Sequence, residues 1–246
     1  MLILACGGFS NLCSWMMAWC LAMASPRQII LVAILSTVFA LSIIKQSWRT
    51  YRYTRQFLHI TQAEFPRHFR EMLTDLGINI SAVVMLDTSV PFAFCFGFLR
   101  TRICLSTGLV TLLSTSQLRA TLCHEDYHRR RFDPLRILLI EAVGTTLCLL
   151  PAVREWRSLA KVKLEIDADE YAIRIAGKPA LAGALHSLLT HSLESQSLMK
   201  GTAVAGLSAN TARIAALLGE RANPERVSYR SLIVSIAILW VLCLIL

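Results

Sequence analysis

Apolar and polar positions along this chain follow three patterns: unbroken apolar runs, helical spacing and strict alternation. Residues 2–24 carry no charge, residues 29–44 are uncharged between Arg27 and Lys45, and residues 231–246 are uncharged after Arg221, Arg226 and Arg230. The first run is long enough to cross about 30 Å of hydrocarbon, and the second is a short span whose flanking cations can snorkel to the interface. A fourth apolar run, residues 137–150, contains Glu141 and is 14 residues long. That length suits a buried, re-entrant or interfacial helix. Helical spacing covers about residues 56–76 and the segment after Ser114 or Ser116, either of which can cap a helix running to Arg129, Arg130 and Arg131. Residues 78–85 read as a strand after Gly77. Phe92, Phe94, Phe96 and Phe98 alternate with Ala93, Cys95, Gly97 and Leu99, and residues 103–105 suit a return strand. One strand here is either a core strand with an aromatic face or an edge on which a peptide can pair, with Gly97 permitting close backbone approach.

Composition turns these runs into a membrane protein: 55% of the 246 residues are hydrophobic and the mean hydropathy is +0.54. Residues 22–24 resemble a signal-peptidase site, but nothing basic precedes Arg27, so a retained helix is expected. Lys45, Arg49, Arg52 and Arg55, interleaved with Trp48, Tyr51 and Tyr53, mark a cytoplasmic membrane face. Both ends of the first hairpin then lie inside and the last span ends outside. The net charge of +9 sits beside apolar segments, as anionic lipid favours, and no nucleic-acid motif occurs. Eight cysteines without a Cys-x-x-Cys pair give no disulfide framework; Cys6, Cys13 and Cys20 share one face of the first helix.

The chemistry concentrates in Cys123-His124-Glu125-Asp126-Tyr127-His128-Arg129. Residues four apart share a helix face, so His124 and His128 can present nitrogens to one metal ion. A zinc ion held with an open position acidifies water, and Glu125, about 100° round the helix, can take that proton and later pass it to a leaving amine. A tetrahedral catalytic zinc needs three protein ligands. Glu165 supplies the third from a second helix, and Asp169, one turn on, can fix the tautomer of a ligating histidine. Asp167 and Glu170 read as solvated. His186, His191 and Arg213 read as ordinary surface or core residues with an outside chance of stabilising an oxyanion. Glu141, ionisable in an apolar setting, reads as pairing with a nearby arginine or else as serving the site.

Three blocks carry a family likeness: Pro91-Phe92 through Leu118-Arg119-Ala120 into His124-Glu125-Asp126-Tyr127-His128 and Asp133-Pro134; Glu165-Ile166-Asp167-Ala168-Asp169; and, weakly, Ala212-Arg213-Ile214-Ala215-Ala216-Leu217. Over about residues 45–220 the chain resembles membrane zinc peptidases of the BlaR/MecR antirepressor type and, more distantly, the HtpX and CaaX-protease family. The resemblance implies zinc on His124, His128 and Glu165 with Glu125 as general base. It also implies a protein or peptide substrate, either a cytoplasmic transcriptional repressor or a damaged membrane protein. HtpX-like members have a His-Pro pair where this chain has Ser208-Ala209-Asn210-Thr211, which favours the BlaR-type assignment. BlaR-type sensors also carry an extracytoplasmic penicillin-binding domain, which these 246 residues do not contain.

The expected protein is a mainly α membrane protein with an inserted α+β zincin (gluzincin-like) metallopeptidase domain. Its parts are an N-terminal transmembrane hairpin at 1–44, a metallopeptidase domain at 45–230 with a re-entrant or membrane-associated helix at 137–150, and a transmembrane helix at 231–246. The expected activity is that of a zinc endopeptidase with one Zn2+ per chain in a bacterial cell membrane, its site facing the cytoplasm. Its partners are substrate and bilayer, with no nucleic acid. The rival expectation is a non-catalytic membrane scaffold or signalling subunit on the same fold.

Overall fold

The computed structural model describes residues 26–58, 61–195 and 226–245. The first apolar run, residues 2–24, and the block containing Arg213 lie outside the described residues, and of His191 only the backbone is described.

Helix α1, Pro26–Leu58, runs 33 residues. It continues well past the expected end at Ile44 because residues 45–58 contain neither glycine nor proline to stop it. Among the described residues it is the one helix long and apolar enough to cross a membrane, and Val32 (62%) and Ile44 (63%) stand exposed on it. Residues 61–66 are not the helix that their spacing suggested. Pro66 disfavours helical backbone at the residue before it, and Gln62 instead bridges to Leu86. Helix α2, Arg67–Asp75, follows and is closed by Gly77 at φ +65°.

The expected strand at 78–85 starts late. The Asn79 side chain accepts from the Ser81 N–H at 2.9 Å and curls Ile80–Ala82 into a 3-10 turn. Strand β1, Val83–Leu86, lies parallel to β3, Arg102–Ser106, and β2, Ala93–Phe96, pairs antiparallel on the other side of β3. β2 is therefore an edge strand of the three. Phe92, Phe94 and Phe96 follow one another as tilted rings with centroids 5.7 and 6.1 Å apart. The hairpin turns at Gly97, φ +86°, where a Cβ would lie 2.4 Å from the Arg100 carbonyl oxygen.

Helix α3, Thr107–Leu112, leads to α4, Thr115–Arg130, which carries the histidines. Ser114 caps α4, and the Gln117 side chain returns a bond to the Ser114 N–H. Leu118 and Leu122 of α4 join Phe69, Leu73, Ile103 and Leu105 in the principal core. Phe132, at φ +55°, turns the chain into α5, Asp133–Thr146, with Pro134 in its first turn. Helix α6, Pro151–Ala176, returns antiparallel. Glu141 meets Lys161 at 2.5 Å and Arg157 at 3.5 Å, and Gly144 abuts the Arg157 side chain. Each arm is about 20 Å long between the 147–150 turn and the level of Asp133 and Glu165. Helix α7, Lys178–Ser195, folds back on α4 after Gly177. Helix α8, Tyr229–Ile245, docks on the start of α6: Ser235 Oγ accepts from the Ala152 N–H at 3.0 Å, and the Glu155 carboxylate accepts from the Ser228 N–H at 2.7 Å and from Ser231 Oγ. The described residues form a mostly helical fold with a small mixed sheet and one membrane-length apolar helix.

Candidate metal centre

The α5–α6 hairpin brings Glu165 back to the two histidines of α4. His124 Nε2 and His128 Nε2 lie 3.1 Å apart, and Glu165 oxygens lie 3.5 Å from the first and 3.7 Å from the second. Ligand atoms about 2.0–2.1 Å from a tetrahedral ion are separated by about 3.3 Å. The three spacings scatter around that edge, close enough for one ion to draw the ligand atoms together.

The opposite ring nitrogens explain why the site asks for a cation. His128 Nδ1 lies 2.8 Å from Asp133 Oδ2, and His124 Nδ1 lies 2.8 Å from Asp169 Oδ1. A carboxylate at that distance wants a ring N–H, so we assign both protons to Nδ1. Both Nε2 lone pairs then converge with an anionic carboxylate, and three bases gather with no donor among them. Zinc fits this donor set. The side chains of His124 and His128 are 8% and 9% exposed while Glu165 is 27% exposed, so the site opens toward water on the Glu165 side.

Asp133 was not legible as a site residue from spacing. It is 1% exposed and is also held by Arg136 Nη1 at 2.9 Å. Its signal is an acid five residues beyond His128, immediately before a helix-starting proline. Asp126, in the middle of the motif, stays away from the metal atoms: 2% exposed, it pairs with Arg129 and Arg130. Asp167 pairs with Lys163 along the α6 surface. Glu141 belongs to the α5–α6 ion pair described above.

Glu125, 9% exposed, borders a cavity of about 140 Å³ together with His124. Thr121 of α4, Ala93 of the edge strand and Leu181, Ala184, Leu185 and Leu188 of α7 complete its lining. The walls away from Glu125 and His124 are apolar apart from the Thr121 hydroxyl. That hydroxyl is occupied, donating to the Gln117 carbonyl at 3.0 Å. The nearby thiols are chemically quiet. Burial, with Glu125 adding its negative charge, pushes Cys104 up to about 12 and drives Cys95 higher still, and burial raises Cys123 to about 11. They stay protonated and offer neither a nucleophile nor a competing thiolate ligand.

His124-Glu125-x-x-His128 with Glu165 is thus an HExxH-type zinc-binding triad typical of zinc metalloendopeptidases. Residues 59–163 match the model of Peptidase family M48. The Protease HtpX homolog of Methanothermobacter thermautotrophicus is 33% identical over 91 residues, 35% of this chain. The matched part is 35% of that protein, so the chain spans about a third of the length of the curated relative it matches. Of the two resemblances drawn from the motifs, this is the HtpX one. Glu165 lies two residues beyond the matched family stretch, and its place in the triad rests on geometry.

Proposed function

We propose that this protein is a membrane-embedded, zinc-dependent endopeptidase. The observation that carries the proposal is the convergence of His124 Nε2, His128 Nε2 and the Glu165 carboxylate, with a carboxylate behind each histidine. His124, His128 and Glu165 hold the metal, and Asp169 and Asp133 orient the two imidazoles. Zinc, when bound, supplies a Lewis acid that polarises the scissile carbonyl and acidifies the attacking water. Glu125 takes the proton from that water and delivers it to the leaving amine as the C–N bond breaks. The edge strand β2, with Ala93 on the cavity, pairs with substrate backbone, and the cavity seats a side chain beside the scissile bond.

In the same proposal residues 1–44 form a transmembrane hairpin, 45–230 the peptidase domain, and 231–246 a further span. The segment 137–150 enters the bilayer partway or lies against it, and the site faces the cytoplasm of a bacterial cell. The substrate is a cytoplasmic or membrane protein. A transcriptional repressor is the substrate that the antirepressor-type motif blocks suggest.

Zinc analysis of the detergent-purified protein tests the reading. About one zinc per chain, lost or much weakened in Glu165→Ala, is the expected result; a parent that takes up no zinc after reconstitution sinks it. Cleavage of an unfolded membrane-protein substrate by the parent but not by Glu125→Gln separates a peptidase from a scaffold.

A further inference from the structure

We propose that the β2–β3 hairpin tip and the α4–α5 corner together form a contact face for anionic phospholipid headgroups. This rests on the membrane location proposed above and adds to it a specific surface and lipid class. The two segments are pinned to one atom: the Arg129 carbonyl oxygen accepts from Thr101 Oγ1 at 2.8 Å and from the Phe132 N–H at 3.3 Å. Leu99, 79% exposed, projects from the tip, and Phe132, 45% exposed, projects from the corner. Arg100, Arg102 and Arg131 are exposed around them, and Arg130 beside them is held by Asp126.

Across residues 97–104 and 126–136 the acids are Asp126, 2% exposed and paired with Arg129 and Arg130, and Asp133, 1% exposed and engaged by His128 and Arg136. The face therefore shows water positive charge and two large apolar side chains. That mixture suits the headgroup boundary, where apolar groups sink a few ångströms and arginines meet phosphate. Continuity decides for lipid over an acidic protein. Phe132 immediately precedes α5, and α5 packs along the membrane-length helix α1. The corner thus lies where the chain passes from the catalytic module to the apolar helices. His128 is four residues before Phe132, so contact here holds the metal end of α4 at the bilayer surface, within reach of membrane-tethered substrates.

Amide hydrogen exchange on the full chain in nanodiscs tests this, comparing pure phosphatidylcholine with a mixture containing phosphatidylglycerol. We expect the amides of residues 98–101 to exchange about tenfold more slowly in the anionic discs. Combined Arg100→Gln, Arg102→Gln and Arg131→Gln substitution should abolish that difference while leaving zinc content unchanged. Equal exchange in the two lipids overturns the proposal, and the parent's lipid dependence alone decides even if the triple variant folds poorly. Slowing that appears only when an acidic peptide is added to the phosphatidylcholine discs also overturns it, because the face then serves a protein. A chain that does not enter nanodiscs overturns the membrane reading itself, a result distinct from an inserted chain with an unprotected tip.

Discussion

The two ends of the α5–α6 hairpin treat water in opposite ways. At one end Asp133 and Asp169 are 1% and 5% exposed, buried carboxylates held against imidazole nitrogens. At the other, about 20 Å away, Leu149 is 74% exposed, and α8 arrives with Trp240 at 68% exposure. Buried carboxylates are tolerated at the first end because each lies 2.8 Å from an imidazole Nδ1 and Asp133 also pairs with Arg136. Exposed apolar surface at the second suits the membrane location proposed above, in which lipid takes the place of protein as the packing partner. Polarity inside marks the chemistry, and apolarity outside marks the surroundings.

The largest expected effect at the site end comes from Glu125→Gln. Peptide cleavage should fall about 10²–10⁴-fold, the usual contribution of a general base, with zinc still bound at one per chain. Retained turnover would remove Glu125 from the chemistry. Asp133→Asn and Asp169→Asn should each weaken zinc affinity about 10–100-fold, read by competition with a chelator. Asp167→Asn, which disturbs only the surface pair with Lys163 at 3.1 Å, should leave affinity unchanged. Equal effects at all three positions would show that buried orientation of the histidines is unimportant.

The cavity sharpens the same contrast from the substrate side. At about 140 Å³ it is close to the cavity of about 150 Å³ that accepts benzene in another protein, so there is room for a leucine or phenylalanine side chain. Leu185→Ala should shift selectivity toward larger side chains about tenfold and lower stability by about 2–3 kcal/mol. Unchanged selectivity across a peptide series would place the substrate side chain elsewhere. The smallest effect belongs to the far end. The Glu155 carboxylate accepts from the Ser228 N–H at 2.7 Å and from Ser231 Oγ, so melting curves of the parent and Glu155→Gln should differ slightly; identical curves would mean that this contact does not help dock α8.

The metal motif was legible because helical geometry turns a spacing of four into a shared face, and that depends on no other part of the chain. Ser114 as a cap and the aromatic alternation from Phe92 to Phe96 were legible for the same local reason. Local rules misjudged residues 61–66 and 78–82 where Pro66 and the Asn79 side chain imposed their own geometry. Asp133 escaped notice because its role requires the left-handed turn at Phe132, which nothing in the residue type demands. The apolar lining from α7 escaped because a leucine stripe looks the same whether it fills a core or borders a cavity.

By itself the sequence determined the ligand types, the face shared by His124 and His128, the carboxylate of Glu125 beside them and the apolar character of the long helices, since each follows from side-chain chemistry and local periodicity. The tertiary structure decided that Glu165 meets the histidines across a two-helix excursion, which carboxylate stands behind each ring, and which apolar wall faces Glu125. Those relations join residues far apart in the chain, and only the packing of α4, α6 and α7 against one another sets the distances on which a metal site depends.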